Sequence, residues 1–383
     1  MSCNNISEIS LSNFSKGVYF YCQPLLPPEQ LGYSHTMICI AEGLTKLGIP
    51  VYSNQNFWIV SSKENQHLFQ HNPDVSKDDC SVVVLDSEYF LFLGKSLPDD
   101  LFAKNREYLT VYLDSEDGSI TNSWKSEFRQ FDLILKNHML EDFLYPENFQ
   151  PWAFGLSERM ISYLNNSPDF LQRDHVFHIN FRNNAMFRHS VRTYVYNNFI
   201  AEINKIYKVD VWKSSTDEKP SKEKLDDYLF WAQTGRRHNP KYYHKLKTSF
   251  ACACFSGFFV LDFPRNHATK ISRISKRLLI KTKMRTSTIV QWDSWRFWES
   301  LAAGCISFQA DFDKYSFFAP VKPENWIHYI GVNFDNANSV IQRIVDEPEK
   351  LEAIARNGKN WVMENYSPVP TASRFLQKLN KIK

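Results

Sequence analysis

The first half of the chain alternates short apolar runs with longer, partly polar segments. One of these segments carries apolar residues at helical spacing from Met37 to Leu47, and Gly48 follows where a glycine commonly ends a helix. The other segments are also long enough for crossover connections. The apolar runs lie at 17–23, 81–86, 108–114 and 131–137. This alternation predicts a parallel sheet with helices on its faces.

The same alternation begins again after a segment with several prolines at 146–174. The run HVFHINF (175–181) has the composition of a strand, and a helical pattern follows at 193–206. A chain of 383 residues exceeds what one core usually organises. We therefore predict an α/β fold of two Rossmann-like domains that face each other across a cleft, with the boundary near 168.

The composition is that of a folded protein, with 43% hydrophobic and 23% charged residues. The net charge of +3 does not indicate nucleic acid as the main partner. Seven cysteines without a C-x-x-C pair predict neither a disulfide framework nor a structural metal, and the one-residue spacing of Cys252 and Cys254 is typical of strand thiols. No signal peptide or membrane span is evident, which predicts a cytoplasmic protein.

Ligands of open parallel sheets bind beyond the carboxyl ends of the strands, which draws attention to the polar residues there. His35 stands in the first turn of the first predicted helix, where an imidazole is placed to act as a general base or to contact a sugar hydroxyl. Asp114, which ends the run 108–114, is the other candidate base, with Glu116 beside it. The structural alternatives are a backbone-bonded histidine and a solvated acidic loop, and the sequence does not choose among them.

The stretch QWDSWRFWESLAAGC (291–305) combines charges with a buried-looking apolar pattern. We predict a helix over 294–303 that Gly304 ends. The free amides of its first turn, together with Arg296, form a suitable site for a diphosphate, and Glu299 one turn later is placed to accept both hydroxyls of a ribose. A surface ion pair between these two side chains explains the same spacing equally well.

Further cations lie in the second half of the chain. Arg188 and Arg192 stand at the start of a predicted helix, where a cation is unfavourable unless an anion binds, and Arg236 and Arg237 follow Gly235 in a turn. The segment 265–285 carries many Lys and Arg residues and no acidic residue. It is either a solvated basic helix or a peripheral contact with an anionic membrane.

The stretch resembles a motif of exostosin-like glycosyltransferases. Ser294, Arg296, Glu299 and Leu301, followed by Gly-Cys-Ile at 304–306, match their S-x-R-x-x-E-x-L-x-x-G-C-I pattern. The sequence YYHKLKTSF (242–250) looks like the segment that precedes it. More broadly, the second half is similar to the donor half of GT-B glycosyltransferases, in which two glutamates eight positions apart bracket a nucleotide sugar. Gln291 stands at the first of these positions.

The resemblance extends to both ends of the chain. LGYSHTMICIAEGLTKLG (31–48) looks like the G-x-x-H loop and first helix of the GT-B fold. ENYSPVPTASRFLQKL (364–379) looks like its closing segment, whose last helix crosses back to the first domain. The domains implied are an acceptor domain, 1–168 with the helix 368–383, and a donor domain, 169–367.

The resemblance implies a transferase that moves a hexose or pentose from a nucleoside diphosphate, with UDP as the family's usual nucleotide. It implies no cofactor, no metal and an inverting reaction on a glycan or lipid-linked acceptor, with His35 or Asp114 as the base. The nucleotide-sugar site implied is formed by Arg188, Arg236, Arg237, Gly257, Gln291, Ser294, Arg296 and Glu299. The alternatives are a catalytically silent two-domain protein that binds a sugar or a nucleotide and a metal-dependent GT-A enzyme with its metal at DFD (311–313).

Overall fold

The computed structural model describes residues 11–24, 27, 30–118, 121–181, 190–212, 219–221, 223–237, 239–260 and 288–382. Its strands are β1 (Val18–Tyr21), β2 (Val51–Ser53), β3 (Phe57–Ser61), β4 (Gln66–Phe69), β5 (Val82–Asp86), β6 (Leu109–Asp114), β7 (Leu133–Lys136), β8 (Phe149–Pro151), β9 (Asp174–Ile179), β10 (Lys208–Val211), β11 (Ser249–Ala253), β12 (Phe258–Val260), β13 (Thr288–Val290), β14 (Ile306–Ala310) and β15 (Ile330–Val332). The described α-helices are α1 (His35–Lys46), α2 (Ser87–Phe92), α3 (Glu158–Leu164), α4 (Val191–Asn198), α5 (Ile200–Ile203), α6 (Leu225–Gln233), α7 (Pro240–Thr248), α8 (Trp295–Ala303), α9 (Ala337–Asp346), α10 (Leu351–Tyr366) and α11 (Pro368–Asn380).

Two parallel sheets organise the chain. The first has the strand order β2-β1-β5-β6-β7-β8, and the second has the order β10-β9-β11-β14-β15. The central strands β5, β11 and β14 are buried along their whole length, because apolar side chains cover both faces of each sheet. The predicted fold class of two Rossmann-like halves is confirmed.

The predicted elements agree with the structure where the apolar period is clear. The first helix is α1, and the helix predicted over 294–303 is α8, which ends at Gly304 in the left-handed conformation with φ 74°. The single helix predicted over 193–206 is instead divided into α4 and α5 at Phe199, whose side chain is fully buried. The hairpin of β3 and β4 was not predicted, although β3 carries the apolar run FWIV at 57–60.

The C-terminal helix α11 packs against α1 and so belongs to the core of the first sheet. Phe375, Leu376 and Leu379 of α11 are fully buried in that core. The two helices approach closely at Gly43, where an added Cβ atom would lie 2.0 Å from the carbonyl oxygen of Pro368. The chain thus returns to its first half at its end. The boundary near 168 falls between α3 and β9 and stays a prediction.

Candidate functional site

The loop 291–294, just before α8, fastens the second half of the molecule to the first. The carboxylate of Asp293 accepts hydrogen bonds from Asn137 Nδ2 (3.1 Å) and from the backbone N–H of Phe154 (3.0 Å). The backbone N–H of Asp293 donates to His138 Nδ1 (3.1 Å). Asp293 is only 4% exposed, and burial raises its pKa to about 6. The start of α8 is therefore held against the carboxyl end of β7.

Glu299 points into the protein and already has hydrogen-bond donors. Its Oε2 accepts from the hydroxyl of Tyr242 (2.8 Å) and its Oε1 from the hydroxyl of Tyr243 (3.1 Å). The residue is 4% exposed, and burial raises the pKa of its carboxyl. The surface ion pair considered above is therefore not formed. Each carboxylate oxygen retains a second lone pair, so two phenols do not exhaust its capacity to accept.

A buried hydrogen-bonded path joins Glu299 to His35 across the two halves. The guanidinium of Arg159 donates to the hydroxyl of Tyr243 (2.9 Å) and to that of Tyr33 (3.1 Å). The Tyr33 hydroxyl in turn lies 2.9 Å from His35 Nδ1. Arg159 was not predicted from the sequence, because its partners lie far from it along the chain.

His35 is buried and both of its ring nitrogens are engaged. Its Nε2 lies 3.2 Å from the carbonyl oxygen of Gly155, which can only accept, so Nε2 carries the proton and Nδ1 accepts from Tyr33. Burial, as the largest cause, lowers its pKa to about 3. The structure thus places the imidazole as a neutral, oriented group, and its role as a base stays a prediction.

Asp114 is fully buried and pairs with a lysine of the neighbouring strand. Its Oδ2 lies 3.0 Å from Lys136 Nζ and accepts from the hydroxyls of Thr121 (2.6 Å) and Ser123 (2.5 Å). Neither Asp114 nor Lys136 has an exposed side chain. This geometry is typical of a buried pair that orders the loop after β6, and the predicted role of Asp114 as a base has no geometric support here.

Two arginines converge at the carboxyl end of β9. The guanidinium carbons of Arg192 and Arg296 lie 5.6 Å and 6.0 Å from the centroid of the Phe181 ring. Neither guanidinium has an ion-pair partner within 4 Å among the described residues, and Nε of Arg296 is buried without a hydrogen bond. Burial and the nearby charge of Arg296 lower the pKa of Arg192, and the carboxylate of Asp117 opposes this shift. Two like charges held together in this way form a suitable site for an anion.

The other predicted arginines differ in position. Arg237 is exposed, and its guanidinium carbon lies 5.5 Å from the ring of Trp295, the first residue of α8. Arg236 has a left-handed backbone with φ 67° and is half-buried. Arg188 and the basic segment 265–285 lie outside the described residues.

Gln291 and Ser294 frame the loop before α8. Gln291 has φ 57°, and its backbone carbonyl accepts from the hydroxyl of Ser256 (3.0 Å). The hydroxyl of Ser294 donates to the carbonyl of Cys254 (3.2 Å) and makes no capping bond to the helix. The backbone amides of the first turn of α8 are consequently left without a side-chain cap.

Gly257 is required by its backbone conformation and by its neighbours. Its φ is +90°, and an added Cβ atom would lie 2.2 Å from the carbonyl oxygen of Val290. Its own carbonyl accepts from the backbone N–H of Val191, the first residue of α4. The glycine thus brings the end of β13 close to the helix that carries Arg192.

His138 presents a polar atom that makes no hydrogen bond with any residue the structure describes. Because its Nδ1 accepts from Asp293, its Nε2 carries the proton. This Nε2 is buried, makes no hydrogen bond, and lies 3.7 Å from a carboxylate oxygen of Asp117. Burial lowers the pKa of His138 to about 3. The ring is therefore a neutral donor in the interdomain region. Its place directly after an apolar run was the only signal for it in the sequence.

No group of three or more His, Cys, Asp or Glu side chains with the arrangement of a metal site occurs in the described part of the chain. Asp311 of the DFD sequence uses its carboxylate to accept from the backbone of Asp313 and Lys314 and from Asn325. Across the same described residues, every helix is too short or too polar to span a bilayer.

No protein-family model matches the chain, and no curated protein matches it by sequence. The structure is similar to that of a glycosyltransferase from Rickettsia africae ESF-5, with a TM-score of 0.51, 11% identity, and coverage of 96% of this chain and 99% of the other. It is also similar to an α-glucosyltransferase in complex with UDP-glucose and DNA containing an abasic site, with a TM-score of 0.51, 8% identity, and coverage of 95% and 98%. The exostosin resemblance stays a prediction.

These similarities extend over nearly the whole length of each chain, so they apply to both halves and to their arrangement. The alternative of a GT-A fold is wrong, because the two parallel sheets and the returning C-terminal helix form the architecture of the other class. The chain has the GT-B fold.

Proposed function

We propose that this protein is a glycosyltransferase that takes a sugar from a nucleoside diphosphate, UDP in the first instance, and transfers it to a hydroxyl acceptor. The observation that carries the proposal is the pair Arg192 and Arg296. Their guanidinium groups lie together over Phe181, and neither has a carboxylate within ion-pair distance among the described residues, although Asp117 acts on Arg192 from farther away. Phe181 follows β9, which adjoins β11 where the strand order of the second sheet reverses. Ligands of open α/β sheets bind at that crevice.

The start of α8 adds to this anion site. Its first-turn amides are not capped by a side chain, and its macrodipole favours negative charge at that end. Departure of the diphosphate requires stabilisation of developing charge, which preorganised amides and guanidinium groups supply without reorganisation. Arg296 lies within that first turn and joins the two contributions. The proposed reaction therefore needs no metal.

In this proposal Glu299 binds the ribose of the donor and Gln291 binds its sugar. The carboxylate of Glu299 uses its second lone pairs to accept from the ribose hydroxyls, while Tyr242 and Tyr243 hold it in place. The side-chain amide of Gln291 bonds a hydroxyl of the transferred hexose. His138 Nε2–H, which makes no hydrogen bond with the described residues and lies 3.7 Å from Asp117, is a further donor to the sugar.

The acceptor enters from the first half, and we propose a glycan or a lipid-linked glycan with inversion at the anomeric carbon. His35 and Asp114 were the candidate bases, but both have their polar atoms engaged by the protein. We further propose that 265–285, which lies outside the described residues, contacts an anionic membrane that carries the lipid-linked acceptor. A net charge of +3 gives no particular affinity for nucleic acid.

Isothermal titration with UDP, uridine and UDP-glucose tests the proposal. We expect UDP to bind and uridine to bind far more weakly, because the diphosphate makes the charged contacts. Arg296→Met should weaken UDP binding by about 2 to 4 kcal/mol, or roughly 30- to 1000-fold. Arg129→Met, at an exposed position of the first half, is the matched control. Equal affinity for UDP in the two variants would refute the diphosphate site.

The second candidate function is nucleotide binding without turnover, which Gln291 favours because it replaces a carboxylate expected at the donor sugar. Release of glucose or UDP from UDP-glucose separates the two. Turnover that persists in excess chelator supports the metal-independent transferase, and tight binding with no turnover supports the binding protein.

A further inference from the structure

The first sheet has its own crevice, at the point where its strand order reverses. β1 is followed along the chain by β2 on one side, whereas β5 begins the series β6, β7 and β8 on the other side. The loop that follows β1 therefore leads to one side of the sheet and the loop that follows β5 leads to the other, which opens a crevice between their carboxyl ends. Gly32 lies in the loop after β1, and Glu88 follows β5 in α2.

The carboxylate of Glu88 lies in this crevice. An added Cβ atom at Gly32 would be 1.7 Å from Oε2 of Glu88, so the carboxylate occupies the space that a side chain at position 32 would need. Glu88 is half-buried and not sealed from solvent. Its carboxylate makes no hydrogen bond or ion pair with any residue in the described ranges.

Charged groups face Glu88 from three directions. Asp86, at the end of β5, accepts from the backbone N–H of Tyr89, and Glu116 follows β6. Arg237 approaches from the second half of the molecule. Burial together with Asp86 raises the pKa of Glu88 to about 7, and Arg237 opposes this shift. A carboxylate in this condition is matched to proton transfer near neutral pH.

Arg237 also connects this crevice with the proposed donor site. The segment that carries it touches the first half directly, because an added Cβ atom at Gly235 would lie 2.3 Å from the carbonyl oxygen of Leu31. The guanidinium of Arg237 lies over Trp295 at the start of α8. Arg237 therefore acts on Glu88 in the first half and contacts the first residue of α8 in the second half.

We infer that Glu88 is the general base that takes the proton from the acceptor hydroxyl, an inference that rests on the proposed function. Among the carboxylates and imidazoles considered for this role, His35 and Asp114 have their polar atoms occupied by protein partners. Asp86 caps α2 and is 4% exposed. Glu88 combines partial exposure to solvent, a position on the acceptor half and a carboxylate that makes no hydrogen bond or ion pair with the described residues.

The step is a single displacement. The acceptor oxygen forms a bond to the anomeric carbon while its proton passes to a carboxylate oxygen of Glu88. The bond between that carbon and the phosphate oxygen breaks, and its electron pair leaves with the nucleoside diphosphate. Glu88 ends neutral, and the configuration at the anomeric carbon is inverted.

Hydrolysis of UDP-glucose, with water as the acceptor, tests the base in the full-length protein. Glu88→Gln should lower the hydrolysis rate by roughly 100-fold or more, while the Kd for UDP measured by calorimetry stays within about twofold of wild type. The wild-type rate should rise with pH through about 7, as Glu88 ionises, and the variant should lose this limb. Glu127→Gln, at an exposed position of the same half, is the control for the charge change.

A second variant displaces the carboxylate without removing it. Gly32→Ala forces the flexible end of Glu88 to move, because of the 1.7 Å approach, and should also slow hydrolysis with UDP affinity retained. The glucose first released should be the β-anomer by NMR.

The outcomes separate the two proposals. A wild-type protein that does not bind UDP refutes the proposed function. If the wild-type protein binds UDP, three results would overturn the assignment of Glu88 as base and leave the nucleotide site standing. They are release of α-glucose first, a Glu88→Gln variant as fast as wild type, and no turnover of UDP-glucose at all.

Discussion

The backbone N–H of Asp293 donates a 3.1 Å hydrogen bond to Nδ1 of His138, and this contact links the loop before α8 to the loop after β7. It orients two groups at once. The loop that begins the proposed diphosphate helix is held against the acceptor half, and His138 is fixed as the tautomer that presents Nε2–H. The relative position of the halves is thus determined partly by the residues that frame the cleft.

Asp293→Asn should destabilise the protein. The carboxylate accepts from Asn137, Phe154 and Trp298, and an amide has only one oxygen to replace it, so at least one buried donor meets an NH₂ group. We expect a loss of about 1 to 3 kcal/mol in the free energy of unfolding, measured by urea denaturation. Asp346→Asn, at an exposed site in α9, should change it little. Equal effects of the two changes would contradict this account of the loop.

Tyr243→Phe should affect stability and nucleotide affinity together. The phenol accepts from Arg159 and donates to Glu299, so its loss leaves both charged groups with one partner fewer. We expect about 1 to 3 kcal/mol of destabilisation and weaker UDP binding. Tyr207→Phe removes a hydroxyl in the same half that has no described hydrogen bond and is the control. Unchanged UDP affinity in a folded Tyr243→Phe variant would argue against a ribose contact at Glu299.

Gly257→Ala and Gly94→Ala separate two costs of an added methyl group. Both glycines have positive φ, but only Gly257 has a neighbour, Val290, within 2.2 Å of the new Cβ atom. The change at Gly94 should cost about 1 kcal/mol through backbone strain alone. The change at Gly257 should cost more and should weaken UDP binding, since it moves β13 relative to α4. Thermal unfolding and calorimetry measure the two effects, and equal stability of the variants would show that the close approach relaxes freely.

Glu42→Gln should remove a pH dependence of stability. Glu42 is 8% exposed and accepts from the backbone N–H of Glu158 (2.7 Å), and burial raises its pKa to about 8 from an ordinary value of 4.5. Between these values the folded state holds a proton that the unfolded state releases, so wild-type stability falls as pH rises from about 4.5 to 8.

The amide of glutamine does not ionise in this pH range, and its oxygen can still accept from the backbone N–H of Glu158. The variant should therefore gain on wild type as pH rises, on the order of a few kcal/mol at pH 8 and close to nothing below pH 5. Denaturation at a series of pH values measures the difference. A constant difference between the two proteins across that range would contradict the prediction.

The candidate site was only partly predictable. The sequence drew attention to Arg296 and Glu299 because their spacing within one amphipathic helix is a local property. The sequence did not draw attention to Arg159 or Glu88, because the proposed role of Arg159 depends on Tyr33 and Tyr243, and that of Glu88 on the place of its carboxylate beside Gly32. His35 was found by position, but the predicted role as base depends on partners that the sequence does not show.

The sequence by itself determined the succession of strands and helices, because apolar periodicity, helix-ending glycines and short polar turns act within a few residues of one another. It determined the two-sheet architecture for the same reason. Only the tertiary structure decided which charged side chains are paired and which are not. Asp114 forms a buried ion pair with Lys136, whereas Arg192 lies near the like charge of Arg296. These properties depend on the dielectric surroundings and on atoms from distant segments, which come together only when the two halves fold against each other.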